Sequence, residues 1–321
     1  QRFSRGALLD QKALREVAVR RLKANLPSEG FPPRQVESLP YEPSDEEETQ
    51  FALLDEITRE SAKKNGKKTS GDIVTMLLKK RFLSSPFAFG CTLENYLAAD
   101  EDGALTDDYY EDILGEGQSD EEEGLRDQDE SERLRESKGS DPLSSANTEQ
   151  LEQLAVWAQS YENRPDAKLD RLIAFLDAVC RPDEQNWLNE RVVVFTEYVD
   201  TLEWIERVLR QHGYDEDRLA VIQGSTPVED RELIRERFNE DPSKEPIRVL
   251  LATDAAGEGI DLQSHCHRLV NFDIPFNPSR LEQRIGRIDR FGQKEDSLVF
   301  HFATGSDATA YAADSDFMAR I

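Results

Sequence analysis

Val192-Val193-Val194-Phe195-Thr196 is a run of β-branched and aromatic residues long enough for one buried strand. Its surroundings repeat the pattern. Upstream, helices are expected at about 149 to 162 and 167 to 180. Downstream the spacing predicts a helix over 199 to 212, a strand over 219 to 223, and a helix opened by Thr226-Pro227 that reaches about 239. Strands follow at 247 to 252 and 268 to 272, the first trailed by a short helix. A further helix is opened by Asn277-Pro278, an N-cap and first-turn pair, before a last strand at 297 to 303. Five apolar runs separated by helices imply an α/β fold: a parallel sheet with helices on both faces. Ligands of such sheets gather at the carboxyl ends of the strands.

The 321 residues are 37% hydrophobic, enough for at least one core, and carry a net charge of −26. That charge would argue against nucleic acid if it were spread evenly. It is not. Residues 98 to 145 hold 18 Asp and Glu against Arg126, Arg133, Arg135 and Lys138, more than half of the net charge. This stretch is poor in apolar residues, cannot offset its ordering entropy, and is expected to be a disordered acidic insert over 98–147. Residues 1–43 contain an amphipathic helix pattern and then a proline-rich extended connector. Residues 44–97 form a helical region, opened by the capping-box pair Ser44 and Glu47. Residues 148–305 form the α/β unit, and 306–321 a short tail. The chain starts at Gln1 and reads as part of something longer. No run approaches a membrane span and no leader is evident, so a cytoplasmic protein is expected. Cys91, Cys180 and Cys266 suit reduced thiols. His265-Cys266-His267 lacks a second ligand pair at zinc spacing, so no metal site is assigned.

Four strand ends carry groups with chemistry. Thr196 and Tyr198 close the first strand, where a hydroxyl and a ring could meet a phosphate or a nucleotide. Gln223-Gly224-Ser225-Thr226 is a small-residue turn into a helix N-terminus, which favours a phosphate, although Ser225 and Thr226 serve equally as helix caps. After the third strand, Thr253 offers a hydroxyl, Gly257 and Gly259 allow close backbone approach, and Asp261 can accept from a ribose or hold an arginine. Asp273 to Pro278 then delivers the chain into Glu282-Gln283-Arg284-Ile285-Gly286-Arg287-Ile288-Asp289-Arg290-Phe291-Gly292-Gln293. On a continuous helix Gln283, Arg287 and Arg290 recur at i, i+4 and i+7, a guanidinium pair suited to phosphate oxygens. A phosphate cradle is missing: Gly66-Lys67-Lys68-Thr69 lacks the upstream glycine and follows no strand.

At these blocks the chain resembles the second RecA-like lobe of superfamily 2 helicases, and more narrowly the Swi/Snf-type translocases of the RapA-like branch. Gln283 with the closing Gly292-Gln293 carries the narrower likeness. Arg20-Arg21-Leu22-Lys23 resembles the exit from a first lobe, and Leu77 to Ala88 the helical region ahead of lobe two. The resemblance implies a C-terminal motor lobe of an ATP-dependent translocase on double-stranded DNA. Arg287 and Arg290 would be arginine fingers, with Gln283, Asp261, Gly257 and Gly259 at the nucleotide interface. Thr196, Tyr198, Gly224, Ser225 and Thr253 would lie along the phosphate backbone. ATP and Mg2+ would be held mainly by the first lobe, so this chain alone is expected to be inactive. A protein partner could engage the helical region or the acidic insert. The rivals are a strand-separating helicase lobe and a non-catalytic protein-binding module.

Overall fold

A computed structural model describes residues 32–65, 70–98, 147–183, 186–254, 259–275, 277–305 and 309–319. The acidic insert, the first helix pattern, Gly66 to Thr69, Gly257 and Glu258 lie outside the described residues. Chain order is β1 (Arg34–Tyr41), α1 (Asp45–Asn65), α2 (Ser70–Ser84), α3 (Pro86–Ala98), α4 (Thr148–Gln159), α5 (Ala167–Cys180), β2 (Val192–Thr196) and α6 (Val199–Gln211). Then come β3 (Leu219–Ile222), α7 (Val228–Asn239), β4 (Val249–Thr253), β5 (Arg268–Asn271), α8 (Pro278–Ile285), β6 (Ser297–Thr304) and α9 (Ala310–Ala319).

The six strands form one parallel sheet in the order β1-β6-β5-β2-β4-β3, a RecA-like α/β fold. Alternation along each strand divides the core in two. Val192 and Val194, Leu219, Val249 and Leu251, Val270, and Phe300 and Phe302 face α1 to α6 and α9. Val193 and Phe195, Ala220 and Ile222, Leu250 and Ala252, Leu269 and Val299 face the opposite way, toward α7, α8 and the 260–266 segment. A period of two on strands buried from both sides produces this split. The first core is the larger, and the helical region is continuous with it: Phe82 stacks on Trp157 at 5.2 Å and meets Phe51 edge-on at 5.1 Å.

Local signals behave as the residues demand. Ser44 N donates to Glu47 Oε2 at 2.7 Å and Glu47 N to Ser44 Oγ at 3.2 Å, a closed capping box. Buried Glu47 also accepts from Ala167 N at 3.1 Å, so the same carboxylate ties the starts of α1 and α5. Asn277 Oδ1 accepts from Ser279 N at 2.9 Å, with Pro278 in the first turn of α8.

Three expectations need correction. The extended stretch before Ser44 is not only a connector: Arg34–Tyr41 pairs with β6 as an edge strand, with Pro40 tolerated there because an edge lacks a second partner. The terminal segment contains α9, whose Tyr311 hydroxyl meets that of Tyr41 at 3.2 Å. The arginine helix also stops early. Beyond Ile285 the chain tightens into turns, with Arg287 N donating to Arg284 O at 3.0 Å and Ile288 N to Ile285 O at 3.1 Å. Arg287 and Arg290 therefore do not continue the helical face that Gln283 occupies. Among the described residues, no helix is long and apolar enough to cross a membrane.

Candidate nucleotide and nucleic-acid sites

The groups singled out in the sequence fall in two places. One is the carboxyl rim of the sheet, where β2, β3, β4 and β5 end. The other is a turn on the face covered by α7 and α8. Arg284 touches Asp254 and Asp273 at the rim, whereas Asp289 touches Arg34, which stands at the amino end of β1 opposite Ser297. Gln293 reaches the carbonyl of Cys266, just ahead of β5. The chain from Arg284 to Gln293 thus descends the sheet face from carboxyl to amino ends, and the arginine turn lies off the rim.

The rim is organised by Arg284, which sequence reading passed over. Its guanidinium is 2% exposed and forms a bidentate pair with Asp254, with Nη2 to Oδ2 at 2.8 Å. Nη1 donates to Asn271 Oδ1 at 3.1 Å and to the Asp273 carbonyl at 2.7 Å. Burial alone would lower the pKa of Arg284, but the Asp254 carboxylate, with Asp273 and Glu197 beyond it, outweighs burial and raises it. Asp273 collects three donors, two from the end of β2 and one from α2: Thr196 Oγ1 at 2.6 Å, Glu197 N at 2.8 Å and Ser84 Oγ at 2.9 Å. Burial raises the pKa of Glu197 while Lys80, 2.6 Å away, opposes the shift. Leu281, Arg284, Ile285 and Ile288 recur at i, i+3, i+4 and i+7. That spacing on the buried stripe was the available signal that Arg284 points inward.

This network fixes the strand ends, and it changes the reading of three residues. Thr196, Thr253 and Tyr198 are 2%, 3% and 1% exposed. Tyr198 does not offer its ring to a ligand: the Arg81 guanidinium covers it at 3.7 Å. Thr196 donates its hydroxyl hydrogen to Asp273, and the buried Thr253 hydroxyl has no hydrogen-bond partner among the described residues. Ser225 is exposed and Gly224 half-buried. Their turn is closed by Gln223 N donating to Thr226 Oγ1 at 3.0 Å, so Thr226 acts within the turn. Arg231 braces it from below through the carbonyls of Gly224 at 2.6 Å and Thr226 at 2.8 Å.

On the face, Asp261 and Arg290 form an ion pair with both side chains about half exposed. Leu262 N donates to Arg287 O at 3.0 Å, which places Arg287 beside that segment with its side chain half-buried. Gly259 has φ +77°, and among the described residues nothing lies within 4 Å of where a side chain would start, so the backbone is open to close approach from that side. Gln283 is exposed on the last turn of α8. Gln293, read only as part of a motif, is a buried staple: its amide donates to Cys266 O at 2.9 Å and Ile288 O at 3.1 Å and accepts from Lys294 N and Glu295 N. Gly292 before it has φ +95°, a left-handed position that closes the turn. Cys266 is buried and its thiol is pushed up to about 12 by that burial, which suits a neutral core thiol and not a metal ligand.

Residues 167–292 match the profile of the helicase conserved C-terminal domain. The chain is 38% identical over 117 residues to the uncharacterized ATP-dependent helicase YqhH of Bacillus subtilis (strain 168), covering 36% of this chain and 19% of that protein. It is 36% identical over 119 residues to the DNA repair protein rhp54 of Schizosaccharomyces pombe, covering 37% of this chain and 13% of the relative. The chain therefore spans less than a fifth of either relative's length. Among solved structures, the C-terminal part of the Fun30 ATPase domain shares the fold with a TM-score of 0.50 at 18% identity, over 90% of each chain. Residues 167–292 thus carry a helicase conserved C-terminal domain, set in a RecA-like fold.

Proposed function

We propose that this lobe serves an ATP-driven translocase on double-stranded DNA. In that reading Arg287 and Arg290 reach the γ-phosphate of an ATP held, with Mg2+, mainly by a first lobe. The carrying observation is the turn on the sheet face, where the Arg290 and Asp261 pair and Arg287 lie half exposed beside the open backbone of Gly259. A guanidinium with one exposed carboxylate partner can exchange it for a phosphate at small cost, because an exposed ion pair contributes only about 0 to 1 kcal/mol. Arg284, locked in the interior, cannot. Closure of two lobes would move Arg290 from Asp261 to the nucleotide, and hydrolysis would return it.

The rim would hold the nucleic acid. Gly224 and Ser225 offer a small-residue turn at the N-terminal end of α7, where backbone amides favour phosphate and carry no sequence information. Thr196 and Tyr198 act beneath that surface, holding the strand ends in place, with Thr253 beside Thr196 at the end of β4. Separation of the two places suits a motor that reads nucleotide state on one surface and grips a strand on another. The isolated chain would bind nucleic acid weakly and would not turn over ATP.

The test is ATP hydrolysis by the full-length protein with double-stranded DNA, single-stranded DNA or RNA, combined with a strand-displacement assay. Stimulation by duplex DNA without displacement supports translocation. Stimulation by RNA with displacement would favour a strand-separating helicase, and no turnover under any condition would leave a protein-binding module.

A further inference from the structure

Resting on that reading, we infer that Arg34, the first residue of β1, is a positioning residue for the arginine turn. Its guanidinium spans two carboxylates 248 and 255 residues away in sequence. Nε and Nη2 both donate to Asp289 Oδ2, at 2.9 and 2.7 Å, and Nη1 donates to Glu282 Oε1 at 2.8 Å and Oε2 at 3.1 Å. Asp289 lies between Arg287 and Arg290, and its side chain is 7% exposed, so the contact is made from inside the turn. Glu282 sits on α8, just ahead of Gln283. One fork thus ties the helix to the turn that follows it.

The turn needs such an anchor. It lies past the last α-helical residue, where mixed turn hydrogen bonds replace the regular α-helical ladder. From the core side it is held by Ile285 and Ile288, by the Gln293 amide, and by Leu262 N on the Arg287 carbonyl. Arg34 supplies the hold from the β1 side, and β1 is itself secured there: Ser297 N donates to Pro33 O at 3.0 Å, and Gln35 Nε2 to Asp296 Oδ2 at 2.8 Å. A planar fork that makes four short donations to two carboxylates sets direction as well as distance, which the single ammonium of a lysine cannot do. Arg34 does not touch nucleotide in this scheme; it sets where Arg287 and Arg290 point.

The experiment uses the full-length protein, measuring duplex-stimulated kcat, affinity for a fluorescent ATP analogue, and thermal midpoint. Arg34→Ala is expected to lower kcat by about 10²-fold, the scale of a misplacement near 1 Å, while analogue affinity changes less than about 2-fold. Arg34→Lys should recover part of the loss. Asp289→Asn should reproduce it, and the double variant should be no worse than the poorer single, as for two residues acting through one contact. Arg171→Ala removes a different anchor of β1, the donation to Pro40 O at 3.1 Å, and should leave kcat unchanged. Should Arg34→Ala fail to fold, Asp289→Asn is judged by the same criteria. Normal kcat in Arg34→Ala and Asp289→Asn, or an equal loss in Arg171→Ala, overturns the inference. Arg287→Ala distinguishes this from failure of the underlying reading: if it hydrolyses ATP normally, the finger assignment has failed, whatever Arg34 does.

Discussion

Replacing Arg284 by Met removes the guanidinium that joins Asp254, Asn271 and Asp273 at the rim while keeping a side chain of similar length. Four hydrogen bonds disappear: two to Asp254, one to Asn271 Oδ1 and one to the Asp273 carbonyl. Asp254, 7% exposed, is left as a buried carboxylate without this partner. Breaking a buried pair from one side costs about 3 to 5 kcal/mol, because the remaining charge keeps its desolvation penalty and loses the attraction that offset it. Total stability is typically about 5 to 15 kcal/mol, so the variant should fold but with much of its margin gone. With a urea slope near 3 kcal/mol/M, the midpoint should fall by about 1 M or more. Adding Asp254→Leu should restore part of that loss, since removing both charges is often near neutral. A midpoint within about 0.3 M of the unsubstituted chain, which that slope converts to about 1 kcal/mol, would refute the argument, as would an Asp254→Leu that deepens the damage.

Two further outcomes follow from named groups. Asp166 caps α5 through Leu169 N at 2.7 Å, and burial, then the nearby Glu47 charge, raises its pKa to about 7 from an ordinary value of 3.8. Its protonated form is thus favoured in the fold. Its contribution is most stabilising below pH 4 and is lost as pH rises from 4 to 7, so Asp166→Asn, which keeps the cap, should flatten that slope and raise the thermal midpoint at pH 8. An unchanged slope would count against it. Asp261→Asn removes half of an exposed pair, so stability should shift by no more than about 0.5 kcal/mol, while ATP turnover in the full-length protein drops; equal effects on both would contradict a role at the interface.

Much of the fold was legible because local chemistry agreed with it. The Val192–Thr196 run, the Ser44 and Glu47 box and the Asn277-Pro278 start each state their structure within a few residues. β1 was not legible as a strand. Of its eight residues only Leu39 and Tyr41 are buried, Pro40 interrupts it, and its partner β6 lies more than 250 residues away. The arginine stretch was legible as chemistry but not as geometry. A helical period places Arg287 and Arg290 on one face, yet burial of Ile288 and Asp289 and the left-handed Gly292 draw the chain into turns. Tyr198 and Thr196 show the same limit at the rim. Their position at a strand end was readable, but the Arg81 and Asp273 that enclose them come from α2 and the end of β5, and sequence spacing does not reveal which distant groups converge.

The central claim is that half-exposed guanidiniums on the sheet face complete a nucleotide site begun by another lobe. Single-turnover ATP hydrolysis by the full-length protein carrying Arg287→Ala or Arg290→Ala tests it directly. The account predicts a rate lower by about 10³-fold or more with nucleotide binding retained. Hydrolysis at the unsubstituted rate would contradict it.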